Sequence, residues 1–163
     1  MAQNTPETSS SQRETAFRAM IRAYGLARRV MDPYFSRYGI SGSQWGVLRV
    51  LHRAEAAQEP ELLLSELSKR LLVRPPSVTG TVDRLERMGL AVRTASTPDL
   101  RSKTVCLPPA GRQLIERLRD GHQARLRMIL AGLSDEEQSE LQRLLEKFSA
   151  HLKDLAEQEP GDE

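Results

Sequence analysis

The stretch LSELSKRLLVRPPSVTGTVDRLERMGLAVRTASTPDLRSKTVCL, residues 64–107, carries the strongest structural signal in this sequence. It begins with an amphipathic helical pattern, and a short turn leads to a second helix that is rich in hydroxyl groups and arginine. Alternating apolar and polar residues then predict two strands joined by a basic hairpin tip. This order is typical of a winged helix-turn-helix, in which one helix enters a DNA groove beside the wing.

The second helix of this stretch, predicted at residues 75–88, has clear start and stop signals. Pro75 suits the first helical position, where its fixed φ fits and its missing N–H has no helical partner to lose. We expect Val78, Val82 and Leu85 to form the buried stripe, and Gly89 to end the helix.

Most side chains on the opposite face of this helix are short and polar, which suits contact with DNA. Hydroxyl groups reach phosphates or base edges, a proline can contact a thymine methyl, and a glycine allows close backbone approach. Arg84 is expected to bind either a guanine edge or a phosphate. An ordinary polar helix face would look the same if this segment stood alone. The candidate residues on the helix are Pro76, Ser77, Thr79, Gly80 and Arg84.

Asp99 and Arg101 form a second candidate site at the predicted hairpin tip. An arginine on a projecting loop suits the narrow minor groove, where negative potential is concentrated. The carboxylate of Asp99 would orient the guanidinium of Arg101. The alternative is a surface salt bridge that contributes about 0–1 kcal/mol. Arg74 and Lys103 complete the set of predicted DNA-contacting residues.

Composition and charge limit the class of protein. Within 163 residues, the segment 65–103 carries eight basic and four acidic side chains, whereas 134–163 carries three basic and ten acidic ones. A basic segment followed by an acidic end is expected when one module meets phosphates. No apolar run reaches about 18 residues and the N-terminus is polar, so we predict a cytoplasmic protein without a membrane span.

Apolar stripes at both ends of the chain predict dimerisation. Residues 12–38 carry a heptad-like stripe that Pro33 is expected to kink or divide, and the last helix is striped with leucine. Two capping boxes, Ser41 with Gln44 and Ser134 with Glu137, are expected to begin helices. These stripes present more apolar surface than a small lobe can cover, and a second copy of the chain is expected to cover the rest.

These patterns divide the chain into five segments and predict a mainly α fold with a small β-wing. The winged helix-turn-helix is flanked by N- and C-terminal dimerisation helices. The predicted segments are a disordered tail at 1–14, a dimerisation helix at 15–40, a DNA-binding lobe at 41–107, dimerisation helices at 108–157 and an acidic tail at 158–163.

The chain resembles the MarR family of winged-helix transcriptional regulators over roughly residues 15–155. The motifs are SQWGVLRVL (43–51), LSELSKRL (64–71), VTGTVDRLERMGL (78–90) and DLRSK (99–103). The resemblance implies a homodimer on a pseudo-palindromic operator, with residues 75–88 in the major groove and Arg101 in the minor groove. It also implies a small aromatic or phenolic effector that weakens DNA binding.

Three positions depart from the pattern of that family. Gly80 stands where the family often has a basic residue, and Arg74 stands where a capping Ser or Asp is usual. The pair Pro108 and Pro109 replaces the threonine that usually caps the helix after the wing.

Other candidate chemistry is weaker. The single cysteine, Cys106, is expected to be a plain strand residue rather than a redox sensor. Tyr24, Tyr38 and Trp45 are candidates for an effector pocket, but aromatic residues at helical spacing more often form core. The three histidines have no metal-ligand spacing, so we predict no metal or cofactor.

The sequence therefore predicts a homodimeric DNA-binding transcriptional regulator, a repressor that a small effector releases. Activation is an open alternative to repression, because both begin with the same docking on DNA. No catalytic motif is present, which predicts a protein that is not an enzyme. The alternative is a winged-helix protein-interaction module that does not bind DNA, which Gly80 and the net charge of +2 favour.

Overall fold

The computed structural model describes residues 6–95 and 103–158. The chain forms two compact units, Met1–His122 and Gln123–Glu163. The elements in chain order are α1 (Pro6–Ser36), α2 (Gly42–Ala56), β1 (Leu62–Leu63), α3 (Leu64–Leu71), α4 (Pro75–Arg87), β2 (Val92–Ala95), β3 (Lys103–Cys106), α5 (Pro109–Leu130) and α6 (Asp135–Gln158). This architecture confirms the predicted mainly α fold with a small β-wing.

The three strands form one antiparallel sheet in the order β1-β3-β2. Leu62 is paired with Val105, and the register of β2 on β3 runs from Val92 opposite Cys106 to Ala95 opposite Lys103. Because β3 lies in the middle, β2 is an edge strand whose outer side is open to a neighbouring element.

The core of the first unit lies where α2, α3 and α4 pack together and meet the sheet. Leu48, Leu67, Val82 and Leu85 have no exposed surface, and Val78 is 1% exposed. The prediction that Val78, Val82 and Leu85 form the buried stripe of α4 is therefore confirmed. Their burial turns the opposite side of α4 away from the core.

Local signals set the helix starts as the sequence predicted. The Ser41 N–H donates to the Gln44 side-chain oxygen at 2.8 Å, and the Gln44 N–H donates to the Ser41 hydroxyl at 3.2 Å. The same reciprocal pair joins Ser134 and Glu137 at the start of α6. Both capping boxes are confirmed.

The sequence predicted that Pro33 would kink or divide the first helix, and the helix is not divided there. Helix α1 begins at Pro6, earlier than expected, and continues through Pro33 to Ser36. The turn after the proline is held by tertiary packing, because Tyr34 and Phe35 are buried and the Tyr34 hydroxyl donates to the Leu118 carbonyl at 2.8 Å. These contacts offset the one backbone hydrogen bond that proline removes.

Two glycines of α5 allow the helix to pack closely in the first unit. A Cβ at Gly111 would lie 2.5 Å from the Leu90 carbonyl oxygen, and one at Gly121 would lie 2.7 Å from the Tyr34 hydroxyl. Larger residues at either position would force the helix away from its neighbours.

The second unit contains the end of α5 and all of α6. None of the residues in α6 is buried, and Leu141, Leu144, Leu145, Leu152 and Leu155 are between 40% and 48% exposed. None of the helices in the described ranges combines the length and apolar character that crossing a membrane requires.

Candidate nucleic-acid interface

Helix α4 presents a continuous exposed face opposite its buried stripe. Pro76 and Arg84 are exposed there, and Gly80 between them is half-buried. These three residues are four apart, so they lie along one side of the helix. Arg87, which follows Gly80 by two turns, is exposed on the same side. Sequence reasoning missed Arg87, although its spacing of seven from Gly80 was a readable signal.

The hydroxyl groups on α4 differ in their capacity for further hydrogen bonds. The Thr79 hydroxyl donates to the Pro75 carbonyl at 3.1 Å, so its oxygen faces solvent as an acceptor. Thr81 is buried and donates to the Ser77 carbonyl at 2.8 Å. Ser77 is exposed, and its hydroxyl makes no hydrogen bond to any described residue. Thr79 and Ser77 can therefore contact a ligand, whereas Thr81 cannot.

The N-terminus of α4 depends on a side chain for positive charge. Arg74 is the N-cap residue, with extended backbone and no side-chain cap, and Pro75 follows at the first helical position. Pro75 and Pro76 together remove two of the free N–H groups that make most helix N-termini attractive to anions. The exposed guanidinium of Arg74 is therefore the main positive group at this end.

Gly80 has no packing role in the described part of the chain. Apart from the two chain neighbours and the nearby backbone of α4 itself, no atom would lie within 4 Å of a Cβ at Gly80. Glycine in a helix interior costs about 0.5–1 kcal/mol relative to alanine. The folded lobe therefore gains nothing from this glycine, in contrast to Gly111 and Gly121.

An ion-pair cluster joins the edge strand β2 to α4, and sequence reasoning did not detect it. Arg93 forms ion pairs with Asp83 and with Glu86, the latter at 2.8 Å. Its guanidinium also donates to the Thr79 carbonyl at 3.1 Å, and its backbone N–H donates to the other Glu86 oxygen at 2.9 Å. The partners are seven to fourteen residues away, so helical periodicity cannot reveal them.

The predicted wing tip is only partly within the described structure. Lys103 is exposed at the start of β3. Asp99 and Arg101 lie outside the described residues, and so does most of the DLRSK motif.

The three aromatic effector candidates differ in burial. Tyr24 is 65% exposed on α1, whereas Trp45 is 7% exposed in the core. Tyr38 is half-buried beneath the guanidinium of Arg117, which lies 5.9 Å from the ring centroid.

Trp45 packs with His122 and Phe35, and Arg49 follows Trp45 by four residues, on the same side of α2. The rings of Trp45 and His122 are 5.1 Å apart between centroids, and both pack against Phe35. The indole N–H of Trp45 is buried and has no hydrogen-bond partner among the described residues. Burial lowers the pKa of His122, and the charge of Arg49 lowers it further.

Arg49 is half-buried without a carboxylate partner in the described part of the chain. Burial, and then the charge of Arg53, lowers the pKa of Arg49, although an arginine stays protonated at neutral pH. An unneutralised guanidinium beside aromatic rings is a suitable environment for an anionic aromatic molecule.

Cys106 is half-buried on β3. Burial raises the pKa of its thiol, and the charge of Glu61 raises it further. The neutral thiol is less reactive than a thiolate. This environment agrees with the expectation that Cys106 is a plain strand residue.

Comparison with known proteins supports the interpretation of this fold. The sequence model of the MarR family matches residues 38–102. The homoprotocatechuate degradative operon repressor of Escherichia coli is 30% identical over 144 residues, which cover 88% of this chain and 94% of that protein. The chain belongs to the MarR family. The predicted resemblance and the predicted class, a DNA-binding transcriptional regulator, are both confirmed.

Other MarR-family proteins give the same result. The transcriptional regulator PecS of Dickeya dadantii is 32% identical over 127 residues, which cover 78% of this chain and 75% of that protein. A mutant MarR from Escherichia coli, solved in complex with operator DNA, is 25% identical and has a TM-score of 0.74. The match covers 80% of this chain and 91% of that one.

Proposed function

We propose that this protein is a homodimeric repressor that binds a pseudo-palindromic operator and is released by a small anionic aromatic molecule. It acts in the cytoplasm, by binding and not by catalysis. The observation that carries the proposal is the exposed face of α4, which combines hydroxyls, an unhindered glycine and arginine opposite a fully buried stripe.

Helix α4 is proposed to enter the major groove, and the wing is proposed to bind the flanking minor groove. In this arrangement Gly80 lies closest to the base pairs and Ser77 and Thr79 reach base edges or phosphates. Arg84 and Arg87 bind phosphate or guanine, and Arg74 binds phosphate at the start of the helix. Asp99 orients Arg101 in the minor groove, and Lys103 contacts the backbone.

The proposed dimer uses the apolar surfaces of the two terminal helices. In the first unit, Phe17, Ile21 and Tyr24 of α1 are more than half exposed. In the second unit, a groove of about 830 Å³ runs along α6 and is lined in part by Leu141 and Leu145. Exposed leucine stripes of this length are typical of surfaces that a second copy covers. A symmetric dimer presents two copies of α4 to half-sites about 10 bp apart.

The effector is proposed to bind beside Arg49, with its carboxylate on the guanidinium and its ring against Trp45 and His122. The free indole N–H of Trp45 supplies a hydrogen-bond donor for a phenolic or carboxylate oxygen. The relative that represses a homoprotocatechuate degradative operon supports this class of molecule, since homoprotocatechuate is an aromatic carboxylate.

DNA binding is tested by fluorescence anisotropy on DNA from upstream of the protein's own gene, beside scrambled DNA, over a salt series. We expect preference for the upstream fragment and a steep loss of affinity with salt, because each released counterion adds to the slope. Arg84→Ala and Arg101→Ala should each weaken binding, whereas Arg143→Ala on α6 is the matched control. Equal weak binding to both fragments would favour the alternative, a protein-interaction module.

The effector site is tested with the fluorescence of Trp45, the single tryptophan of the chain. Phenylacetate and benzoate, with and without ring hydroxyls, are titrated and the emission is followed. We expect saturable quenching that Arg49→Met abolishes and that Arg53→Met retains. Quenching that is unchanged in Arg49→Met would place any binding elsewhere.

A further inference from the structure

The Arg93 cluster between β2 and α4 has no part in the DNA contacts or the effector site proposed above. Arg93 belongs to the wing sheet, but all of its polar contacts described above are made to α4. They include two carboxylates and one main-chain carbonyl. The side chain of Arg93 is only 15% exposed. A guanidinium that is paired in this way is not available to a phosphate.

The contacts of Arg93 lie on one flank of α4. Thr79, Asp83 and Glu86 are separated by four and three residues, so their positions fall within a narrow arc of the helix. At about 100° per residue, this arc lies next to the face that carries Gly80 and Arg84. The cluster therefore fixes the rotation of α4 about its own axis relative to the wing, without covering the face proposed to meet DNA.

The cluster also determines the charge that α4 presents. Asp83 and Glu86 would otherwise place two unpaired carboxylates beside the phosphate-binding arginines. Such carboxylates would repel the DNA phosphates. Pairing both with one guanidinium cancels part of their negative charge within the lobe itself. Ion pairs that share a largely buried, multiply hydrogen-bonded arginine are more rigid than exposed pairs.

We propose that Arg93 is a positioning residue that fastens the wing to α4, so that the two elements bind adjacent DNA grooves as one rigid unit. This inference rests on the proposed DNA-binding function. It assigns to Arg93 a role that acts through Thr79, Asp83 and Glu86 and that involves no DNA contact of its own.

A double-mutant cycle between Arg93 and Arg101 tests the proposal on the operator fragment. Arg93→Met removes the ion pairs but retains a long apolar side chain. We expect it to weaken operator binding about tenfold, and we expect Arg101→Ala to cost at least threefold less in that background than in the wild type. The reason is that a wing that is no longer fastened cannot place Arg101 correctly. Arg93→Lys should restore affinity only in part, because one ammonium group cannot reproduce the guanidinium fork.

The salt dependence separates a positioning role from a direct contact. Arg93→Met should leave the slope of log affinity against log salt unchanged, whereas loss of a phosphate contact lowers it by about one. Arg112→Met is the matched control, because Arg112 pairs with Glu55 and makes none of the described contacts to α4. It should leave both affinity and coupling unchanged. Additive effects of Arg93 and Arg101, or a slope reduced by one, would overturn the proposal.

Amide hydrogen exchange without DNA keeps this test independent of operator binding. In Arg93→Met, the amides of β2 and β3 should exchange at least tenfold faster, while the amides of α2 remain as protected as in the wild type. Unchanged exchange in the strands would refute the fastening role even if the protein binds DNA. If the wild type fails to bind the operator while exchange rises as expected, the proposed function fails but the fastening of the wing stands.

Discussion

The first unit and helix α6 both contain many leucines but use them in opposite ways. In the first unit, Leu48, Leu67 and Leu85 have no exposed surface, because α2, α3 and α4 enclose them. In α6, none of the residues from Asp135 to Gln158 is buried, and Leu144 is 48% exposed. The first unit therefore obtains its stability from its own core. Helix α6 leaves the same kind of side chain exposed, and the dimer proposed above would cover it.

The largest expected effect tests whether the first unit is stabilised from within. Leu85→Ala removes a fully buried side chain from α4 and should lower the free energy of unfolding by about 2–5 kcal/mol, because the surrounding helices cannot collapse into the cavity. Urea unfolding followed by circular dichroism measures this change. The loss should be independent of protein concentration. A loss below about 1 kcal/mol would show that the core of the lobe is not close-packed.

The second prediction concerns the same substitution at an exposed leucine. Leu144→Ala should barely change the unfolding of a monomer, but it should weaken the dimer about 10- to 100-fold, since burial of one leucine contributes about 1.5–3 kcal/mol. Sedimentation equilibrium measures the dissociation constant. Asp154→Ala, on the same helix but outside the lining of the groove proposed for the dimer, is the control. A dimer that is equally tight in Leu144→Ala would remove α6 from the interface and break the contrast between the two regions.

Leu72 offers a way to stabilise the first unit alone. Its φ of 54° is left-handed, and its side chain is 79% exposed in the turn between α3 and α4. Leu72→Gly relieves this conformation and should raise the free energy of unfolding by about 1 kcal/mol, after the entropy cost of glycine in the unfolded chain is included. Thermal unfolding measures it. The dimer dissociation constant should stay unchanged, and a lower melting temperature would contradict the expectation.

Gly80→Ala should give a smaller gain in stability together with a loss of function. Alanine in the helix interior should add about 0.5–1 kcal/mol, because no atom of another element lies within 4 Å of the position that its Cβ would occupy. If α4 approaches the bases closely at this point, the same change should weaken binding to the operator but not to scrambled DNA. Thermal unfolding and anisotropy measure the two effects on one sample. A gain in stability without any loss of discrimination would remove Gly80 from the DNA interface.

The smallest expected effect is the pH dependence that His122, the last residue of the first unit, adds to the free energy of unfolding. Burial lowers the pKa of His122, and Arg49 lowers it further. The unfolded chain takes up a proton below about pH 6.5, whereas the folded protein does so only at lower pH. The stabilisation is therefore complete above pH 6.5 and is lost as the pH falls towards the folded pKa. Urea midpoints of wild type and His122→Leu should diverge below pH 6.5, in favour of the variant.

Local signals in the sequence predicted much of the lobe. Ser41 with Gln44 identified one helix start, Pro75 identified the start of α4, and the spacing of Val78, Val82 and Leu85 identified its buried side. Each of these rests on residues within one or two helical turns of each other. The exposed face of α4 could be inferred from the buried stripe, since a helix that buries one side exposes the other.

The features that sequence reasoning missed depend on tertiary structure. Arg93 entered the sequence analysis only as one of the eight basic side chains of residues 65–103. The fold brings it to Asp83 and Glu86, from a strand to a helix. Pro33 was expected to kink or divide α1, and α1 is not divided there because the burial of Tyr34 and Phe35 holds the helix together. Neither the pairing nor the packing has a periodic signature.

The hydrogen bond from the Arg93 N–H to Glu86 has a consequence for solubility. An edge strand with free N–H groups is a template on which another chain can add a strand and begin to aggregate. Here the outward N–H of Arg93 in β2 is already occupied by a carboxylate of the same lobe. The wing is thereby protected against growth into a larger sheet, even at the high local concentration that two lobes reach on one operator.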